Sequence, residues 1–326
     1  MTKLSRNRSF FVAICMLALL GAAFSPQKGK HKPAAKGAAA VRSAAQADSV
    51  ARRHADSLQA AGRARAVADS LQRADSLAAR QRQDSLAAPP LRHIQNEAFG
   101  VGERLVFDVN FGFITAGEAV MTIPSYDSIA SRKCYRIQFT VNSLPSFSWI
   151  YKVEDRYLTF IDVQAIAPLR FEQHIHEGSF TRDFVAEFDQ QKRIARTSGG
   201  QYPIQQYVHD ILSAFYFVRT VDFSSFKTGD MMTLYNFYGD KSYELGVRFL
   251  GRQDLEVAAG TFRTIVVEPL VKEGGLFKSE GRIVVWLTDD AVKMPVRVNT
   301  KVVIGSIDTE LREYSGLVAP LTARVR

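Results

Sequence analysis

Cysteine is almost absent from this chain: Cys15 and Cys134 are the only two in 326 residues. Cys15 lies inside an apolar N-terminal run and is expected to leave with it. Cys134 then stands alone, and no intrachain disulfide can form in the mature chain. Within Lys133-Cys134-Tyr135-Arg136-Ile137 it reads as a half-buried strand residue, with a reactive thiol as the alternative. Long apolar runs are also missing. The longest, Phe10 to Leu20, is shorter than the about 20 residues a spanning helix needs. Catalytic signatures are missing too. No serine sits in a G-x-S-x-G elbow and no H-E-x-x-H occurs. Gly100-Val101-Gly102 lacks the third glycine and the following helix of a dinucleotide site, and reads as a strand start. No enzyme activity and no cofactor are expected.

Acidic charge is scarce only in the first third. Residues 26–92 carry 13 Lys and Arg against 5 Asp, whereas residues 93–326 carry 26 bases against 28 acids. The net charge of +9 therefore belongs to the N-terminal third. A basic chain invites a nucleic-acid reading, but the part able to fold is slightly acidic, so no nucleic-acid partner is expected.

Three basic residues precede the Phe10–Leu20 run, and Gly21-Ala22-Ala23 follows it. This is the order of a secretory signal, with cleavage expected after Ala23. An uncleaved inner-membrane anchor is the alternative, and both place the bulk of the chain in the periplasm or on the envelope. Residues 24–92 form an Ala- and Arg-rich low-complexity spacer. Its second half is built from good helix formers, and Asp-Ser-Leu or Asp-Ser-Val recurs at irregular spacing. The spacer is too poor in large apolar residues to form a core. It is expected to be partly helical until Pro89-Pro90. It is either a solvated linker or a basic contact to an anionic envelope surface.

From about residue 93 the texture changes. Tyr135-Arg136-Ile137-Gln138-Phe139-Thr140-Val141 alternates apolar and polar side chains, as do Arg104–Val109 and Ser242–Phe249. Period two with β-branched and aromatic residues predicts strands with one wet face. Further strands are predicted at 116–123, 155–161, 168–177, 180–188, 231–238, 253–258, 262–271, 282–287, 294–304 and 307–314. Turns are predicted at Glu177-Gly178, Ser198-Gly199-Gly200, Tyr238-Gly239-Asp240 and Ala259-Gly260. One segment, Asp210 to Arg219, is apolar nearly all round. It predicts a buried helix at about 209–220 with Asp210 as its N-cap. The fold class is mainly β: one domain over 93–326, an antiparallel, strongly curved sheet or barrel-like sandwich holding that helix.

Several stretches resemble the bacterial family known as domain of unknown function 3108. They are Phe99–Phe107 with Phe111–Gly117, the Asp210–Arg219 helix, and the run from Ala259-Gly260-Thr261-Phe262 through Val285–Asp290 to Met294-Pro295-Val296. The likeness covers about 97–316. It implies an exported β-rich domain and supplies no activity.

Arg219 is the most informative single residue. A guanidinium ending an apolar helix needs an acceptor. It either pairs with an internal carboxylate or carbonyls, or stands at the mouth of an apolar pocket ready for a fatty-acid carboxylate or lipid phosphate. Tyr216, Phe215 and Asp210 of the same helix join it as candidate ligand-binding residues. Trp149 does so from an aromatic loop that is a lid, a membrane-touching edge or ordinary packing, with packing the default. Glu172, His174 and His176 alternate on one strand face and carry zinc-ligand chemistry. Their spacing spreads them along the strand, so a polar outer face is expected and no metal is assigned. His209 beside Asp210 has the look of an acid–base pair, but helix capping accounts for Asp210. Asp289-Asp290 reads as a turn.

Two functional classes remain. One is a binding or carrier module for an apolar or lipid-like ligand. The other is an envelope scaffold or assembly protein acting through protein contacts, with no small ligand.

Overall fold

The structure is a computed structural model that describes residues 68–77, 90–271, 282–301 and 305–325. The expected secretory signal and most of the spacer lie outside the described residues. The chain divides into two units, one ending at Pro90 and the other running from Leu91 to Arg326. In the first, residues 68–77 are helical and exposed throughout. Among the described residues, no helix is long and apolar enough to cross a membrane.

The second unit is built on fourteen antiparallel strands. The first eight are β1 (Arg104–Phe111), β2 (Ile114–Ile129), β3 (Arg132–Ser143), β4 (Glu154–Asp162), β5 (Pro168–Glu177), β6 (Phe180–Asp189), β7 (Ile194–Thr197) and β8 (Gly200–Pro203). A single helical turn, α1 (Pro145–Ser148), interrupts the β3–β4 connection, and helix α2 (Ile211–Arg219) follows β8. The remaining strands are β9 (Met231–Tyr238), β10 (Lys241–Val257), β11 (Gly260–Val271), β12 (Ile283–Thr288), β13 (Pro295–Lys301) and β14 (Ser306–Ser315).

The strands form one sheet in the order β8-β7-β6-β5-β4-β3-β2-β1-β14-β13-β12-β11-β10-β9. The chain meanders outward from β1 to one edge, crosses through α2, and meanders back from the other edge until β14 pairs with β1. No ladder joins the edge strands β8 and β9, so the sheet is curved and not closed. Side chains nevertheless bring the two ends together. Thr197 and Tyr202 donate to Asp240 at 2.8 and 3.2 Å, and Arg182 donates to the Tyr238 hydroxyl at 2.9 Å. The Phe188 and Phe237 rings meet edge to face at 5.6 Å.

Local chemistry explains the strands. In β3, Tyr135, Ile137, Phe139 and Val141 are buried while Arg136, Gln138 and Thr140 between them are not. That is the alternation expected of a strand with one dry face. The expected strands 242–249 and 253–258 are one strand, β10. A bulge between Phe249 and Gly251 shifts its register, and Gly251 supplies the positive φ of 130° that the shift uses. The four-residue strands β7 and β8 were not anticipated, being too short to show a period. At the N-terminal turn, a side chain on Gly316 would strike the Gly102 carbonyl, so glycine is required for this close approach.

Helix α2 forms where the sequence said it would. The Asp210 carboxylate accepts from the backbone N–H groups of Leu212 and Ser213, each at 2.9 Å, as an N-cap does. Two cores meet on this helix. Leu212 and Tyr216 pack with Phe107, Val109 and Met121 in the larger one. Ala214 and Val218 pack with Leu245, Val247 and Val285 in the other.

Candidate functional site

At the seam between the two cores lies a cavity of about 120 Å³. One wall comes from inward positions of β1–β4, among them Val109, Ala119 and Val141; the opposite wall comes from β10–β14, among them Val247, Ile283 and Val298. The helix presents Ile211, Leu212, Ala214, Phe215 and Val218 to it. Its polar groups are the hydroxyls of Tyr157, Thr300 and Thr309, and no charged side chain lines it. Protein interiors are close-packed. A gap of this size is therefore one that the fold's own side chains leave unfilled.

Of the candidate residues on α2, Phe215 lines this cavity. Tyr216 and Arg219 turn the other way. Both are fully buried. The Arg219 guanidinium grips Glu103 through two nitrogens at 2.8 and 2.6 Å, and donates to the Ala98 carbonyl at 2.9 Å and the Val292 carbonyl at 3.3 Å. The Tyr216 hydroxyl donates to the same carboxylate at 3.2 Å. The guanidinium also lies over the Phe99 and Tyr216 rings, at 5.4 and 5.0 Å from their centroids. Burial works against the Arg219 charge, but the adjoining Glu103 carboxylate outweighs it and holds the pKa above its ordinary value. Burial, and then Glu103, push the Tyr216 hydroxyl well above the usual range. The pocket-mouth role for Arg219 is thereby corrected. Its donors are committed to internal acceptors, and it acts as the clamp that seats α2 on the N-terminal turn.

Asp210 is buried and committed as well, accepting from the Thr159 hydroxyl at 2.7 Å in addition to its two cap bonds. Burial raises its pKa to about 6 against those bonds. His209 is buried beside it, but its Nδ1 lies 3.3 Å from the Ser213 hydroxyl. Burial, with the charge of Arg92, lowers its pKa to about 3, so the ring is neutral at physiological pH. The two form no acid–base pair.

Trp149 is not packed, contrary to the default expectation. It is 81% exposed, and its indole N–H is already bonded to the Ser146 carbonyl at 2.9 Å. Glu172, His174 and His176 make polar contacts on the outer face. Glu172 pairs with Arg170 at 2.7 Å, and His174 Nδ1 with Asp183 at 2.6 Å. No cluster able to hold a metal ion occurs among the described residues. The Asp290 carboxylate accepts from Thr288, Val292, Lys293 and Ala323, which makes it the fastener of a turn. Cys134 is fully buried, and burial, then Asp127, push its thiol up to about 11. This corrects the half-buried placement and makes the thiol unreactive.

Sequence reasoning missed a second buried acidic group. Asp155 and Glu177 are both almost fully buried on the inner face. Asp155 accepts from the His176 backbone N–H at 2.9 Å, and the Tyr157 hydroxyl lies 3.5 Å from it. Burial and then the neighbouring Asp155 raise Glu177 to about 8. The pair therefore holds a proton at neutral pH. Alternation could have placed Asp155 on the same face as Tyr157, but nothing in the sequence brings Glu177 opposite it.

Among curated proteins, no sequence relative matches the chain. Several solved structures are similar in outline. One is a β-barrel-like protein of domain of unknown function DUF1849 from Brucella abortus, at 10% identity and TM-score 0.45, covering 69% of this chain and 99% of that one. Another is a protein proposed to be a lipoprotein from Parabacteroides distasonis, at 8% identity and TM-score 0.31, covering 70% and 100%. A third is a protein with a YmcC-like fold from Bacteroides fragilis, at 10% identity and TM-score 0.32, covering 70% and 100%. The strands β1–β14 and helix α2 fall almost wholly within residues 106–312, which match the model of the family described as protein of unknown function DUF3108, and the chain belongs to that family.

Proposed function

We propose that this is an exported envelope protein that binds an apolar, lipid-like ligand between α2 and its curved sheet. The observation that carries the reading is the cavity at the seam of the two cores, about 120 Å³ in volume and without a charged lining residue. An apolar pocket of that size takes a small aromatic ring or a short length of hydrocarbon chain. With Arg219 committed to Glu103, no cation waits inside for a carboxylate or phosphate. The ligand part that enters is therefore uncharged, and any polar head stays outside. The leader-like N-terminus supports export.

The test uses a fluorescent naphthylamine probe with the full chain. Wild type should enhance its emission and hexadecane should displace it. Ala214→Leu on the helix and Ala119→Leu on the β1–β4 wall project side chains into the pocket and should each abolish the enhancement while circular dichroism stays unchanged. Undiminished enhancement in both folded variants refutes the site. Native mass spectrometry of protein taken from its own envelope should show an added apolar mass; a bare mass would favour the scaffold reading.

A further inference from the structure

Among the described residues, one end of the sheet carries an apolar rim. There β1 turns into β2, and Phe113 at the tip is 109% exposed, followed by the exposed Ile114. The α1 segment sits beside this hairpin, tied to it by the Leu144 N–H bond to the Ala116 carbonyl at 2.9 Å. It displays Trp149 and Ile150, both exposed. The α1 segment is held in place. The Ser148 hydroxyl bonds to the Leu144 carbonyl at 2.9 Å, and the Ser143 hydroxyl accepts from Val153 N–H at 3.0 Å. No charged residue occurs in Gly112–Gly117 or in Ser143–Tyr151.

We propose that this rim is a docking edge that inserts into an anionic lipid surface. Four large apolar side chains left in water on two neighbouring tips mark an interaction site. Their form favours a fluid partner over a folded one. Phe113 protrudes beyond its own strand, whereas a stable protein interface needs a broad complementary patch of about 800 Å² per partner. An indole with its N–H already bonded internally loses no hydrogen bond on entering the headgroup region, where tryptophan commonly sits.

Two observations identify the occupant. The first concerns the chain's own N-terminal third. Residues 92–94, within the β unit, lie at the opposite end of the sheet, where Ile94 N–H bonds to Gln164 and Arg92 bonds to Ala165 and Ile166. Residues 26–90 contain no aromatic residue and few apolar residues larger than Ala, so they are poor material to cover the rim. The second is charge. The same segment, extended to residue 92, holds 13 Lys and Arg against 5 Asp. Each such base near an anionic leaflet contributes about 1 kcal/mol of attraction. The spacer thus draws the chain to such a surface, where the uncharged rim can enter.

The cavity spans the sheet, from Leu287 and Pro295 at the far end to the end that bears the rim. Val109, Val141, Ile283 and Thr300 line the cavity within two residues of the ends of their strands on this side. Docking here would set that seam against lipid. The docking proposal goes beyond the cavity reading and stands if the cavity proves empty.

The test is local, because the Phe10–Leu20 run and the spacer can hold the chain on vesicles by themselves. The chain has two tryptophans, so Trp286→Phe leaves Trp149 as the sole reporter. The full chain is mixed with phosphatidylethanolamine–phosphatidylglycerol vesicles with brominated acyl chains. Trp149 emission should shift to the blue and be quenched. Phe113→Ser with Ile114→Ser, both exposed and harmless to the fold, should abolish most of the quenching. Unchanged, unquenched emission from sedimented protein overturns the proposal, as does a failure to sediment. Quenching that persists in the double serine variant overturns the role of the hairpin tip. The naphthylamine assay on the same variants separates the two ideas: a rim failure leaves probe binding intact, and a cavity failure leaves quenching intact.

Discussion

Replacing Arg219 with Met should be among the most damaging single changes in this protein. Both the guanidinium and Glu103 are fully buried, in a fork at 2.8 and 2.6 Å. Methionine preserves much of the stem's volume but strands the carboxylate with the Tyr216 hydroxyl as its one remaining side-chain donor. Breaking one side of a buried pair costs about 3–5 kcal/mol, because the surviving charge stays desolvated. That is a large share of the about 5–15 kcal/mol by which domains are stable. Removing both charges, Arg219→Met with Glu103→Leu, should recover most of the loss, and because either single change strands a buried charge at about 3–5 kcal/mol, the double-mutant cycle should show a coupling of about 5 kcal/mol or more. Urea unfolding followed by far-ultraviolet circular dichroism reads all four corners. A loss below about 1 kcal/mol in the single variant, or an additive cycle, would refute the clamp. Naphthylamine binding should survive in the double variant, since the guanidinium does not line the cavity. Loss of binding with stability intact would restore the pocket-mouth role.

Other outcomes follow from the buried titrating groups. Glu177 is raised from its ordinary 4.5 to about 8, so the folded state holds a proton that the unfolded state releases. Its stabilising share is complete below about pH 4.5 and is lost as pH rises through about 8. Glu177→Gln should therefore flatten the fall in melting temperature between pH 5 and pH 9; parallel curves for variant and wild type would exclude the shared proton. His209 runs the other way. With its pKa lowered from 6.5 to about 3, the unfolded state takes up a proton first, and stability falls as pH drops below about 6.5. His209→Leu should soften that acid loss in a melting series, and an unaltered acid limb would count against it. Asp210→Ala removes the cap and the Thr159 bond together and should cost about 2 kcal/mol in urea unfolding; a neutral substitution would mean the cap carries no stability.

The strands were legible because one face of each is wet. Alternation in Tyr135–Val141 survives into the burial of β3 residue by residue. Helix α2 was legible for the opposite reason: its apolar residues break the period of two, and Asp210 has the chemistry of a cap. The β10 bulge was not legible, because a one-residue register slip leaves two well-patterned halves that read as two strands. The need for an acceptor at Arg219 could be stated from sequence, but Glu103 could not be named, lying 116 residues away. For Trp149 the residue type pointed to packing, and only the loop's place beside the β1–β2 tip showed it exposed.

By itself, the sequence determined the class of fold, the position of the buried helix and the separation of a basic, coreless N-terminal third from a near-neutral β unit. These depend on local composition and periodicity, which neighbours along the chain specify. Tertiary structure alone decided that β14 returns to pair with β1, that α2 divides two cores with a void at their seam, and that Arg219 serves the fold and not a ligand. Each of these depends on groups brought together across a hundred residues or more. Such pairings are set by packing and desolvation, which have no signature in the order of neighbouring residues.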